Sequence, residues 1–393
     1  MAFGISKCVT FYQRLIRKLY QREFGGIVIL NINKDLLDKT QKSVLLCYTV
    51  NQFEINFNGR ITHANMFHVI QMIKVLIGRN YSIDVCKAKS VYDIEKLKQS
   101  YDYIIGFGPL YEALIRKGIK GHKILLLTEN DPYAVETKYS ERIDYFKQRH
   151  GANLIKGNKR RNSFYSLYQV DNSEACIGMN SSFNLSRIQT LMNLYKIKVN
   201  AISNENYIYK EKDFNKIRNN FVWFGSAGVI HKGLDILVDA FAQLPEYTLS
   251  VDGLPQSELS VIKSFLPSNV HICGSIDVRT DSFIQEVVNK NSYVISASCS
   301  EGMNTGVATC MMHGLIPVIT KETGFDNPGF IKEFEDYKVD YIVSFIKDLA
   351  NISDVELGKL SKEVYSYSQK AFSLENFTKE FETIIKDIES EYE

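Results

Sequence analysis

Ser296-Ala-Ser-Cys-Ser-Glu-Gly-Met-Asn-Thr-Gly-Val-Ala-Thr-Cys-Met-Met-His-Gly-Leu-Ile-Pro-Val-Ile-Thr320 joins two strand-like apolar runs through a glycine-bracketed turn and a helix. The runs are Tyr293 to Ala297 and Ile316 to Thr320, and small and apolar residues between Thr305 and His313 suit the helix. The stretch therefore reads as a βαβ unit. Its loop, Ser300-Glu-Gly-Met-Asn-Thr-Gly306, falls where a strand's carboxyl end meets a helix N-terminus. Free N–H groups and the helix dipole favour an anion there, with phosphate the natural candidate. Glu301 can instead accept hydrogen bonds from sugar or ribose hydroxyls. The same loop is also compatible with Gly302 and Gly306 serving turn geometry and Glu301 being a solvated carboxylate.

Working outward, strands and helices alternate on both sides of this unit. Val44 to Val50, Ser82 to Cys86, Tyr103 to Gly106, Lys123 to Thr128, Ala175 to Gly178 and Ile197 to Ile202 are expected strands. Helices are expected over Ala64 to Ile77, Val91 to Gln99, Leu110 to Lys117 and Leu185 to Tyr195, the first capped by Thr62. A second series opens with Phe221 to Phe224 and continues through Tyr247 to Asp252, Asn269 to Cys273 and the opening βαβ unit. The pattern predicts an α/β chain with two parallel sheets covered on both faces. With 393 residues it suits two domains. The expected organisation is an extension over 1–42, a first Rossmann-like domain over 43–205, a linker over 206–219, a second such domain over 220–371 and a terminal helix over 372–393.

A second loop offers the same chemistry as the first. Gly225-Ser-Ala-Gly228 follows the strand Phe221 to Phe224, and Lys232 stands before the next helix. A lysine there, with turn N–H groups, can neutralise a diphosphate, although a surface lysine is the ordinary alternative. In the first series, Glu129-Asn130-Asp131-Pro132 lies at a strand's carboxyl end, where open α/β sheets place ligands. Glu129 and Asn130 are candidates to face that cleft; alternatively Asp131-Pro132 simply starts a turn. His63 and His68 fit packing better than base catalysis. Arg142 to Gly151 and Lys156 to Arg161 form the most basic run, expected to be a solvated loop or a contact for a phosphorylated acceptor.

The formal charge of +2 gives no footprint for nucleic acid. Cysteines at 8, 47, 86, 176, 273, 299 and 310 form no C-x-x-C pair, which argues against zinc and a disulfide framework and suits a reducing cytoplasm. No apolar run approaches membrane-spanning length. Phe11 to Phe24 reads as a basic amphipathic helix, to lie either on an anionic membrane surface or against its own domain or a second subunit.

Phe224-Gly225, His231-Lys-Gly-Leu-Asp-Ile-Leu-Val-Asp-Ala-Phe241, Ser300-Glu-Gly302 and Gly314-Leu-Ile-Pro-Val-Ile-Thr320 resemble the donor-binding domain of the family-four, GT-B-fold glycosyltransferases of the group 1 type. The resemblance is specific over about 220–330 and diffuse over 43–205. It implies two Rossmann-like domains facing a cleft, a nucleotide-sugar donor held without metal or cofactor, a glycan or lipid-linked acceptor, and retention of configuration. By it, Lys232 holds the diphosphate and Glu301 is the first carboxylate of a Glu-(seven residues)-Glu motif facing the donor sugar. Asn304, Thr305 and Gly306 add sugar and phosphate contacts.

Three positions depart from the family pattern. Thr309 occupies the second Glu position, Ser226 follows Gly225 where an Arg is usual, and Glu129 stands where a His is frequent. A binding protein partnered with another transferase is therefore the competing expectation. A dinucleotide enzyme is set aside, since Val44 to Val50 is not followed by G-x-G-x-x-G.

Overall fold

The computed structural model describes residues 28–33, 42–50, 64–88, 94–157 and 164–392. The basic helix expected over 11–24, the Thr62 cap and His63 lie outside those residues. Two sheets form the frame, one of seven strands in the order β1-β3-β2-β4-β5-β6-β7 and one of six in the order β10-β9-β8-β11-β12-β13. In the first, β2 (Lys42–Tyr48), β3 (Tyr81–Lys87), β4 (Ser100–Gly106), β5 (Lys120–Leu127), β6 (Ala175–Gly178) and β7 (Asn193–Lys196) run parallel. β1 (Val28–Ile29) pairs antiparallel with β3, so part of the expected extension is an edge of this sheet.

The second sheet is parallel throughout: β8 (Asn220–Phe224), β9 (Thr248–Asp252), β10 (Val270–Gly274), β11 (Tyr293–Ser296), β12 (Ile316–Thr320) and β13 (Lys332–Phe334). Central strands carry unbroken apolar runs because helices cover both faces; Ile124 to Leu127 of β5 and the whole of β12 are buried in this way. Strand order reverses between β8 and β11, and such a switch point opens a crevice at the strands' carboxyl ends. Both loops singled out in the sequence leave strands at that point.

The helices used below are α1 (Ala64–Gly78), α2 (Gly108–Arg116), α3 (Pro132–His150), α4 (Ser186–Leu191), α5 (Leu234–Ala242), α6 (Thr305–Met311), α7 (Val339–Leu349), α8 (Asp354–Ala371) and α9 (Leu374–Tyr392). α9 buries Phe377, Phe381, Ile384, Ile385 and Ile388 and returns to the first sheet's side, where Glu389 pairs with Arg79 and accepts from Tyr81 Oη at 2.6 Å.

Three expectations are corrected. The basic run from Arg142 is not a solvated loop: it belongs to α3, whose Arg149 pairs with Asp235 and Asp239 of α5. Arg142 is buried over the Tyr337 ring at 4.3 Å, and the His150 ring stacks on Phe265 at 3.7 Å. Among the described residues of 91–99, only a single turn of 3-10 helix forms, at Ile94–Lys96. The last strand of the first series is Asn193–Lys196 rather than 197–202. Ile197 and Val199 are buried because the chain there crosses between the domains. Asn200 N–H donates to His68 Nε2 at 3.4 Å and Ala201 N–H to the Phe372 carbonyl at 2.9 Å, so these amides are satisfied outside any sheet.

Candidate functional site

The loop after β8 turns over the end of β11. Gly233, at φ +69°, lies where a Cβ would stand 2.2 Å from the Ala297 carbonyl oxygen, so only glycine fits. Within the loop, Lys232 N–H donates to Gly228 O at 2.7 Å and Leu234 N–H to Val229 O at 2.9 Å. The Gly228 and Val229 amides point to Glu258, a fully buried carboxylate whose Oε2 accepts from them at 2.7 and 3.0 Å. The acceptor in this nest is the protein's own side chain.

The loop after β11 is closed in a similar manner. Asn304 caps α6, its Oδ1 accepting from Gly306 N–H at 3.0 Å and Val307 N–H at 3.1 Å. Gly302 presses on the first domain: a Cβ there would lie 2.1 Å from the Thr128 carbonyl oxygen. Met303 N–H donates across the same boundary to Met179 O at 2.9 Å. Held between these contacts, Glu301 directs Oε1 to Lys232 Nζ at 3.3 Å and to His231 Nε2 at 3.2 Å. Glu301 is 9%, Lys232 8% and His231 1% exposed, so the cluster is largely withdrawn from solvent and its charges interact more strongly than at a surface.

A cavity of about 410 Å³ separates the domains over this cluster. Of the residues expected at the site, Gly225, Ser226, Lys232, Glu301, Gly302, Asn304, Thr305, Gly306, Thr309 and Glu129 line it. Gly228 and Asn130 do not. Gly228 turns its amide to Glu258, and Asn130 is buried with Oδ1 accepting Asp131 N–H at 2.7 Å. That turn lets Asp131 cap α3 through Tyr133 N–H and receive Arg187 Nη2 at 2.6 Å. Asp131-Pro132 thus starts a helix, and Glu129 is the residue of this loop that faces the cavity.

Thr309 lines the wall where the sequence lacks the second carboxylate. Its carbonyl accepts from His313 Nδ1 at 2.7 Å while His313 Nε2 accepts Asn204 N–H at 3.4 Å, which fixes the tautomer. Burial lowers the His313 pKa to about 4, against the Thr309 bond that raises it. His68 also borders the cavity, but its ring stacks on Phe377 at 4.6 Å, with Nδ1 3.3 Å from Tyr48 Oη and Nε2 accepting from Asn200. That is the packing role the sequence suggested.

Sequence reasoning assigned no role to His231 or Glu258. His231 adjoins Lys232 in the loop already singled out, so its position was a usable signal. Glu258 lies 30 residues from Gly228 and carries no local pattern, and only the folded chain joins them. No group of three or more His, Cys, Asp or Glu side chains able to hold a metal occurs among the described residues, and no described helix is long and apolar enough to cross a membrane.

Solved structures decide the architecture. A sucrose-phosphate synthase from Thermosynechococcus elongatus superposes with a TM-score of 0.55 at 12% identity, over 89% of this chain and 100% of the other. The lipopolysaccharide outer core galactosyltransferase WaaB in its apo form gives 0.51 at 12% identity, over 88% and 100%. The fold is GT-B. Against the pneumococcal O-GlcNAc transferase GtfA, at TM-score 0.47 and 14% identity, the alignment takes in 74% of this chain and spans 56% of that protein's length. No protein-family model matches the sequence, and no curated protein does. The two sheets, their switch point and the cavity between them are therefore those of a GT-B protein, with Glu301, Lys232 and Glu129 at the cleft.

Proposed function

We propose that the protein is a glycosyltransferase that moves a sugar from a nucleotide-diphosphate donor to a hydroxyl of a glycan or glycolipid acceptor. The observation that carries this reading is the Lys232–Glu301 pair, 3.3 Å apart at the switch point and facing Glu129 across the cavity. Breaking the bond from sugar to diphosphate leaves positive charge on the sugar and negative charge on the leaving phosphate. Lys232 meets that negative charge, and a preorganised cation in a water-poor cleft lowers the barrier more than the same cation in water. Glu301, paired with Lys232, accepts hydrogen bonds from the sugar hydroxyls. Ser226, Thr305 and Thr309 contribute hydroxyls on the donor side, and Glu129 faces the acceptor side.

The reaction is retaining and metal-independent in this reading, and its setting is surface polysaccharide assembly at the cytoplasmic face of a membrane, contacted through residues 11–24. Nucleic acid is not a partner. The lipopolysaccharide galactosyltransferase among the structural neighbours supports that setting by analogy. The domain limits given above, 43–205 and 220–371 with a linker and a terminal helix, are part of the same proposal.

The test is a panel of nucleotides and nucleotide sugars scored by melting temperature and by donor hydrolysis. A ligand that binds only the native state must raise the melting temperature. One nucleotide sugar is expected to do so, and Lys232→Ala is expected to weaken it about 10- to 100-fold, the worth of a charge-assisted hydrogen bond. Unchanged affinity in that variant removes Lys232 from the phosphate site. Deleting residues 1–30 without loss of membrane association removes the surface helix.

A second reading is a GT-B protein that binds a nucleotide sugar or glycan as partner of another transferase. One observation favours it: the amides of Gly228, Val229, Gly306 and Val307 are taken by Glu258 and Asn304, which leaves fewer backbone donors for a diphosphate. Binding of a nucleotide sugar with no hydrolysis and no product under any acceptor decides for it.

A further inference from the structure

The loop bearing Glu301 is held from the opposite domain by two asparagines that the chemistry above does not use. Asn180 follows β6 and Asn184 stands one turn on, before α4; they are 1% and 6% exposed. Asn180 Nδ2 donates to the Glu301 carbonyl at 2.9 Å and to the Glu129 carbonyl at 3.2 Å. Its Oδ1 accepts from Ser181 N–H and from Asn184 Nδ2, both at 2.8 Å. Asn184 Nδ2 also approaches the Glu301 carbonyl at 3.1 Å and the Glu322 carbonyl at 3.3 Å. Every hydrogen-bonding valence of the Asn180 amide is filled, and its two donor bonds reach the backbone of both carboxylate residues of the cleft.

We infer that Asn180 and Asn184 are positioning residues: they tie the Glu301 backbone to the first domain, so that Glu301 takes its place opposite Glu129 across the cleft when the domains are closed. Opening the cleft by one hydrogen-bond length breaks the two Asn180 and Asn184 bonds to Glu301 together with the Met303–Met179 bond, all on one loop. Buried donors left unmade cost more than exposed ones, so the closed arrangement is favoured without ligand. The inference rests on the transferase reading only in treating Glu301 as a reacting-site carboxylate.

Hydrogen exchange and small-angle scattering on the full chain test it without any sugar donor. In Asn184→Ala and in Asn180→Asp, which turns a donor into an acceptor at constant size, exchange protection of residues 299–304 should fall roughly 10- to 100-fold. Protection of β12 should stay as in the wild type, and the radius of gyration should rise as the domains part, a change that a purely local defect does not produce. Unchanged protection of 299–304 in both variants overturns the inference. Equal loss across β12 also overturns it, by making the asparagines mere supports of the fold, and an unchanged radius of gyration refutes the coupling to closure. If Asn180→Asp does not fold, Asn184→Ala decides alone. A protein that transfers no sugar at all leaves these readouts standing.

Discussion

Replacing Gly302 by alanine inserts one methyl group between the two domains. The new Cβ would stand 2.1 Å from the Thr128 carbonyl oxygen and 2.8 Å from its carbon, whereas ordinary contact begins at 3.4 Å. Both obstacles are backbone, so no side chain can swing aside, and the loop must withdraw by about 1.3 Å, the difference between 3.4 and 2.1 Å. Overpacking of this kind costs about 1–3 kcal/mol. The shift also takes the 2.9 Å Met303–Met179 bond out of range and moves Glu301 relative to the first domain. A displacement near 1 Å at reacting groups lowers turnover on the order of 100-fold. Melting temperature, exchange of residues 299–304 and donor hydrolysis at saturation measure the three consequences. Gly78→Ala is the control, since nothing lies within 4 Å of its Cβ. If Gly302→Ala matches that control in melting temperature and exchange, the close approach of the two domains at this loop is refuted.

Glu258→Ala leaves the buried Gly228 and Val229 amides without an acceptor, for a loss of roughly 2–6 kcal/mol at about 1–3 per group. Urea unfolding followed by Trp223, the chain's one tryptophan and buried in β8, reads it; an unchanged midpoint would show that the loop finds another partner. Arg149→Ala strands Asp235, 1% exposed and with a carboxyl pKa raised by burial despite Arg149 and Arg142, and should cost about 3–5 kcal/mol. Wild-type stability of that variant would mean the α3–α5 ion pairs contribute nothing. His313 is neutral in the native state because burial lowers its pKa from 6.5 to about 4. Its contribution is complete above its unfolded pKa and lost as pH falls toward the folded one, with about 2 kcal/mol gone near pH 5. Unfolding curves at neutral and mildly acid pH should show that loss in the wild type and a flatter response in His313→Asn.

The alternation of apolar runs with helical segments made both sheets legible. β6 and β12 fall where the pattern put them, because a central parallel strand is buried on both faces and cannot hide its composition. The failures lie where burial has another cause. Residues 197–202 carry strand-like apolar side chains, yet they are buried by a domain crossing and bonded to His68 and Phe372. The basic face of α3 reads as solvated because its partners, Asp235 and Asp239, lie 86 and 90 residues away from Arg149.

At the site, the lysine, the carboxylates and the glycines were visible because their residue types and their places after strands restrict what they can do. Pattern and residue type were enough to dictate two layers of parallel strands covered by helices and to put Glu129, Lys232 and Glu301 in loops at strand carboxyl ends; the cleft came from the family resemblance, and the switch point from the strand order of the folded chain. Which donors that cleft offers was settled by folding. The packed chain turned the Gly228 and Val229 amides to Glu258, placed Asn180 and Asn184 on the Glu301 backbone and left Asn130 buried. Local propensity is written over a few neighbouring residues, whereas a hydrogen bond is satisfied by whichever partner the fold brings within about 3 Å, however distant in the chain.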